Sequence, residues 1–412
     1  MAHLLVIDLP GGNDYDLLSA AVAAGHKYSF LTSDLALYRS QPLVNDQLKN
    51  AMHCIEIADF TLPNILPRIQ ELHQQTPFNA LLCLLDIRLI VAAQLARKLG
   101  LAYLNPESAV LLRDKAAVRQ RLHDCGIVQP AFRKAGSTAE LKAAVSDLGL
   151  PVLIKPADGY GSQNIVVLRK PEDLEPWISP IECMLPSNAN YGLGVRANDQ
   201  LLVERYMEGQ LIGCDVFSFN GQHTLIGVNE KLMFAPPSFA ILGGSFVPGA
   251  QGYETVRDYV FRALDAVGFD WGATHIELIL TNDGPQIVEI NARLVGAKIP
   301  RLMNIALGYS IHEALIDLHL GRVPTVQAVR PMVATTRWIT ANRPGILQEI
   351  RLPDWQDERI CGVELLKTRG AAVHPAFENA DRLGCVMVSA PNRQEAAQLA
   401  SQFVADTSVL IT

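Results

Sequence analysis

Residues 274–293 read THIELILTNDGPQIVEINAR, two apolar runs of strand character on either side of Asn282-Asp283-Gly284. That triplet suits a three-residue hairpin loop, a type I turn closed by a residue at positive φ, where glycine costs least. On this reading Thr281 faces Pro285, and counting back sets Glu277 opposite Glu289 and His275 opposite Asn291. Strand side chains alternate, so Arg293 shares that face, while Ile276, Leu278 and Leu280 meet Val288, Ile290 and Ala292 on an apolar one. A two-residue loop would shift the register by one and send the glutamates to opposite sides, mixing polar and apolar positions, so the longer loop is preferred.

Directly opposed side chains have Cβ atoms about 5 Å apart, and two carboxylates so placed repel unless a positive charge intervenes. A divalent cation is the simplest remedy. Carboxylates and an amide oxygen are hard ligands that suit magnesium, which keeps positions for water and phosphate oxygens. The plain alternative is a solvent-exposed hairpin with incidental charges. Arg293 weighs against it, because a guanidinium beside a metal-phosphate site has an obvious partner.

At 412 residues the chain is long enough for two or three domains, each with its own core. A hydrophobic content of 49% with 19% charged residues is ordinary for a globular enzyme. The net charge of -7, with no Lys/Arg-rich run, argues against nucleic acid as a partner. Seven cysteines are scattered without a CxxC pair or a histidine cluster at zinc spacing, as in a reducing compartment. The opening MAHLLVIDLPGG lacks the basic start of a signal peptide. The apolar stretch at 80–96 is broken by Asp86 and Arg88, short of the ~20 apolar residues a membrane span needs. A cytoplasmic protein is expected, with small-molecule substrates and a second copy of the chain as partners, and neither nucleic acid nor membrane.

From residue 1 to about 112, HLLVID, YSFLTSD and NALLCLLD read as strands alternating with helices such as DYDLLSAAVAAG, the pattern of a parallel sheet covered on both faces. The first turn, Pro10-Gly11-Gly12-Asn13-Asp14, is not GxGxxG, so a dinucleotide site is not expected there. Asp114 can cap a helix beginning at Lys115, which leaves that lysine beside N–H groups that attract anions; a lysine at a helix start is otherwise simply solvated. Residues 151–156, PVLIKP, make a buried strand ending at Lys155, followed by Gly159, Gly161 and Ser162. Backbone N–H groups there could approach phosphate oxygens, although ordinary hairpin glycines look the same. The stretch 201–219 gives two strands broken at Glu208-Gly209. KLMFAPPSFAILGGSFVPG, 231–249, reads as a glycine- and proline-rich loop, either a plain connection or a lid touching substrate. Beyond 325 the chain reads as a compact α/β cap in which nothing demands catalysis.

Lys115, the LIKP strand with its glycine loop, VERYMEG and ELIL…VEINAR, in this order and spacing, resemble the ATP-grasp superfamily over roughly residues 1–325. GATHIELIL, EINARLVGAKIP and the C-terminal RWITANRPGIL…DRLGCVMVSA resemble, within it, the amino-acid ligases that join two amino acids into a dipeptide. The resemblance implies an α/β ATP-grasp architecture. Its parts would be an N-terminal Rossmann-like parallel-sheet domain over 1–112, an ATP-grasp domain over 113–325 with a central antiparallel sheet and a mobile lid lobe at about 128–206, and a C-terminal α/β cap over 326–412.

The same resemblance implies ATP and two magnesium ions, with manganese able to substitute. Lys115 and Lys155 would contact the nucleotide phosphates under a flap of Gly159, Gly161 and Ser162, while Glu204, Arg205 and Tyr206 would form the hinge strand at the adenine edge. Glu277, Glu289 and Asn291 would hold the metal, and Arg293 would act catalytically on the charged intermediates. Lys231, Ser245, His275 and Gly296 are the expected substrate contacts, His275 being equally readable as a structural histidine. One departure is that Gln210 and Leu211 stand where many relatives carry a ribose-binding glutamate. Some relatives also place a histidine before the proline that is Pro248 here, and this chain has none. The implied reaction is ATP-dependent activation of an amino-acid carboxylate as an acyl phosphate and its capture by the amine of a second amino acid. The alternatives are a related ligase acting on a nucleotide precursor or cofactor, and a non-catalytic nucleotide-binding protein.

Overall fold

The computed structural model describes residues 1–9, 16–158, 165–175, 200–234 and 240–412. The expected flap residues Gly159, Gly161 and Ser162 and the Pro10–Asp14 turn lie outside them. Four strands near the N-terminus, β1 (His3–Ile7), β2 (Lys27–Thr32), β3 (Cys54–Glu56) and β4 (Ala80–Cys83), pair in parallel in the order β3-β2-β1-β4. Their unbroken apolar runs suit a sheet buried on both faces. Leu4, Val6 and Leu82 enter one core while Leu5, Ile7 and Leu81 enter another.

A small antiparallel lobe follows, built from β5 (Phe132–Ala135), β6 (Val152–Pro156), β7 (Val166–Leu168) and β8 (Leu201–Arg205) in the order β5-β8-β6-β7. The helix Thr138–Leu148, capped by the Ser137 hydroxyl, lays Leu141, Ala144, Val145 and Leu148 on it.

The remaining strands are β9 (Gln210–Phe219), β10 (Gln222–Met233), β11 (Ile241–Pro248), β12 (Gly272–Thr281), β13 (Gly284–Asn291), β14 (Val333–Ile339), β15 (Gly345–Arg351), β16 (Ile360–Leu365), β17 (Ala372–Val373), β18 (Gly384–Ala390) and β19 (Ser408–Ile411). Eight of them form one antiparallel sheet in the order β13-β12-β9-β10-β11-β14-β18-β16, and β17, β15 and β19 form a smaller one. Segments from beyond residue 325 therefore continue the central sheet through the β11–β14 ladder, where Phe246 meets Ala334 and Gly243 meets Arg337. One face of this sheet, with Ile212, Cys214, Val216, Ile276 and Leu278, packs on the helices Lys115–Asp124 and Glu254–Ala266. The helices Ile299–Leu307 and Ile311–His319 fill the space between the central and N-terminal sheets. No helix among the described residues is long and apolar enough to cross a membrane.

Two expectations are corrected here. Most of the described part of 231–249 is strand rather than loop: Lys231–Met233 end β10 and Ile241–Pro248 are β11, adjacent strands in the middle of the sheet, and residues 235–239 lie outside the described ones. The β12–β13 loop has two residues rather than three, for Thr281 pairs with Gly284 across Asn282-Asp283. Gly284 takes φ +106°, and the Thr281 hydroxyl donates to its carbonyl at 2.8 Å. The glutamates nevertheless stay together, because a β-bulge at Val288 absorbs one residue: Leu278 pairs with Ile287, then Glu277 with Glu289 and His275 with Asn291. Ile287, fully buried, takes the core position expected of Val288, which is only half-buried.

Candidate active site

Asp114 accepts hydrogen bonds from the N–H groups of Ala116 and Ala117 at 2.9 and 3.0 Å, closing the helix as its side-chain chemistry predicts. The Lys115 backbone N–H donates to the Ala157 carbonyl just past β6, so the helix start and the strand end are tied together. From this junction the Lys115 ammonium reaches Glu289 at 3.0 Å, and Lys155 reaches Glu204 at 2.7 Å. Arg119, one turn along the helix and almost wholly buried, also bonds Glu204, at 2.5 Å. Both cations donate to the Val288 carbonyl, Arg119 at 3.2 Å and Lys155 at 3.3 Å. The bulge that preserves the glutamate pair thus also turns out an acceptor for this cluster.

Burial opposes ionisation of Glu204, but Arg119 and Lys155 outweigh it and hold the carboxyl down at about 2. Burial likewise lowers the Lys155 pKa, with Glu204 pulling the other way. The Glu204 side chain is thus held between Arg119 and Lys155. Arg205 and Tyr206 face away from the lysines: the Arg205 guanidinium donates to the Leu148 carbonyl at 2.9 Å, and Arg169 lies 4.8 Å above the Tyr206 ring. Both line an outer groove shared with Glu208 and the tip of the β12–β13 hairpin.

The principal cavity near the glutamate pair, about 270 Å³, lies between the exposed face of the central sheet and the segment Val295–Ile299, and is smaller but more enclosed than the outer groove. Glu277, Glu289, Asn291, Arg293, Lys231, His275 and Gly296 all line it. Lys231 pairs with Glu277. His275 places Nδ1 3.0 Å from Asp215 and Nε2 3.6 Å from Glu277, and Asn229 donates to Asp215 in turn. Gly213, opposite Glu277 on β9, makes room for this arrangement, since a Cβ there would stand 2.4 Å from the His275 ring. Burial opposes the charge on both Glu277 and His275. Lys231 and then His275 nonetheless push Glu277 well below the usual carboxylate range, and Asp215 followed by Glu277 raises His275. Glu277 thus has Lys231 on one side and the His275 imidazole on the other.

Among the described residues no group of three or more His, Cys, Asp or Glu is placed to hold a metal ion. The available donors are the two opposed carboxylates and the Asn291 amide. Each carboxylate is approached by one lysine, and hard oxygen donors of this kind suit magnesium completed by phosphate oxygens and water.

Arg293 reaches the cavity while its Nε lies 2.6 Å from Asp86, in the turn that follows β4, so the N-terminal domain fixes the guanidinium. Ser245 is a correction: its hydroxyl bonds that of Thr335 at 2.8 Å and is not part of the cavity wall, which on this strand is made by Ile241, Gly243 and Gly244. Residues beyond 325, where nothing in the sequence demands catalysis, nonetheless reach the cavity: Thr336, Trp338 and Arg382 line it. Trp338 and Arg382 stand in the two C-terminal stretches that carry the amino-acid ligase resemblance, but only the order of strands, which juxtaposes β14 with β11, brings them to the cavity.

Three family models match the chain: an ATP-grasp N-terminal domain over residues 18–102, an ATP-grasp domain over 148–300, and an L-amino acid ligase C-terminal domain 2 over 337–411. The chain belongs to the ATP-grasp superfamily of carboxylate-amine ligases. It is 29% identical over 320 residues to the protein y4rH of Sinorhizobium fredii, a match that takes in 74% of this chain and 62% of that protein. It is 23% identical over 326 residues to the L-arginine-specific L-amino acid ligase of Bacillus subtilis, covering 77% of this chain and 76% of the ligase. Among solved structures, the L-amino acid ligase from Bacillus licheniformis superposes with a TM-score of 0.78 at 17% identity, over 100% of this chain and 99% of that one.

Proposed function

We propose that this protein activates the carboxylate of an amino acid with ATP and joins it to the amine of a second amino acid, releasing ADP and phosphate. The observation that carries the reading is the convergence, around one cavity, of an opposed pair of carboxylates, Asn291, Arg293 and Lys231, with Lys115 reaching the second carboxylate from the neighbouring helix. The L-amino acid ligase C-terminal domain and the similarity to the B. subtilis ligase support an amino acid as substrate.

A carboxylate resists attack by an amine because neither oxygen leaves readily; transfer of the γ-phosphoryl group to one oxygen gives an acyl phosphate, and the amine then displaces phosphate. Lys115 and Lys155 would bind the nucleotide phosphates. Magnesium, when bound, supplies neutralisation of the phosphoryl charge and would be held by Glu277, Glu289 and Asn291. Arg293, oriented by Asp86, would stabilise the oxyanion of the tetrahedral adduct. His275, held by Asp215, would help orient Glu277 at the cavity wall. We place the reaction in the cytoplasm and expect a homodimer, which light scattering would check.

The test is phosphate release from ATP across a matrix of amino-acid pairs, with hydroxylamine added in parallel to trap an activated acid. We expect hydroxamate from at least one amino acid, abolished by chelation of divalent metal. Failure of every amino acid and related carboxylic acid to support ATP cleavage would overturn the reading.

A further inference from the structure

Five arginine and lysine side chains are buried among the described residues. Four have carboxylate partners: Arg88 with Asp8, Arg119 and Lys155 with Glu204, and Lys298 with Glu364. The fifth, Arg382, is only 7% exposed and has none. Its guanidinium carbon sits 4.3 Å above the Trp338 ring, and one terminal nitrogen donates to the neutral Asn379 side-chain oxygen, which also accepts from the Ile241 backbone N–H at 3.0 Å. Its Nε is buried without any partner. Arg382 and Trp338 both line the principal cavity, at the β14 end.

A buried cation lacking an anion is costly, and the Trp338 ring and the neutral Asn379 oxygen offset this one only in part. Trp338 fixes the plane of the guanidinium and Asn379 fixes its rotation, an arrangement that presents a rigid donor fork to a planar oxyanion. The glutamate-lysine end of the cavity lies on β12 and β13, and four strand spacings separate β12 from β14, roughly 19 Å between backbones. A carboxylate undergoing phosphorylation at that end cannot also meet Arg382.

We propose that Arg382, seated on Trp338, binds a second substrate carboxylate, one that is not activated. The inference rests on the ligase reading for its partner: either the α-carboxylate of the amine-donating amino acid, or the remote carboxylate of a dicarboxylic acid donor. It makes Arg382 a specificity determinant contributed by the C-terminal segment. Amines without an acid group and monocarboxylic donors would be told apart there from their carboxylate-bearing counterparts.

The experiment measures calorimetric binding of the twenty amino acids and their carboxamides to the full chain with magnesium and a non-hydrolysable ATP analogue. At least one amino acid should bind roughly ten- to a hundredfold more tightly than its amide, the range expected for a hydrogen-bonded charge pair. R382Q should erase that preference, and R382K should restore part of it. In turnover, the donor whose KM rises in R382Q identifies the source of the carboxylate. If every amide binds as well as its acid, the proposal is overturned, and this comparison on the unaltered chain stands even if R382Q does not fold. Retained acid-over-amide preference in a folded R382Q would overturn it equally. A chain that shows the preference, and loses it in R382Q, yet cleaves no ATP would instead retire the ligase reading and keep the carboxylate site.

Discussion

Glu204 illustrates how a single side chain can be placed correctly in a strand while its protein partners stay hidden. The apolar run of β8 was legible, but its partners Arg119 and Lys155 come from elements 85 and 49 positions away, and no local pattern announces them. Replacing Glu204 by Gln leaves two buried cations short of their shared anion and should cost about 3 kcal/mol in urea denaturation. The pH dependence follows from the depressed carboxyl. Its stabilising contribution is complete above the ordinary value of 4.5 and is lost as pH falls toward about 2. E204Q should therefore lose less stability than the parent chain between those limits. At Glu289 the expectation is different: the side chain is partly exposed beside Lys115, so E289A should remain folded by circular dichroism while ATP cleavage falls at least a hundredfold, as befits a metal ligand.

Elements carried more of the sequence signal than single contacts did. Opposed glutamates, the Asp114 cap and the strand ending at Lys155 were all readable because each rests on local alternation or capping chemistry. Loop length was not, since a two-residue turn plus a bulge gives the same facing residues as a three-residue turn without one. The bulge is tied to the cluster through the Val288 carbonyl. Deleting Val288 should leave Glu277 facing Glu289 but strip Arg119 and Lys155 of an acceptor, lowering stability by about 1–3 kcal/mol in urea. Glycines misled the reading of 231–249 because Gly243 and Gly244 resemble a flexible loop. In the sheet they allow close approach of neighbouring strands: a Cβ on Gly244 would lie 2.6 Å from the Glu230 carbonyl, and one on Gly243 2.4 Å from that of Thr336. Gly244→Val should accordingly destabilise by about 1–3 kcal/mol, measured by the same denaturation.

On the scale of the whole molecule, the sequence indicated the succession of parallel sheet, small lobe and antiparallel sheet, but not that the last strands enter the same sheet as the hairpin bearing Glu277 and Glu289. Pairing between segments so far apart leaves no periodic trace, and β14 and β18 read simply as buried strands of a separate unit. A chain ending near residue 325 would expose the β11 edge along its full length, and such an edge recruits other strands. That truncation should aggregate, as judged by size-exclusion chromatography, whereas an independent cap could be removed without loss of solubility.

The shared β11–β14 seam also constrains how this scaffold could diversify. Exchanging residues 326–412 for those of a relative would import a new far wall for the cavity, yet the graft must accept Gly243, whose surroundings are set by the Thr336 carbonyl and the Arg337 side chain of this particular β14. Transplants that carry β11 along with the C-terminal segment should yield soluble hybrids with altered selectivity, while those cut at residue 325 inherit a mismatched join.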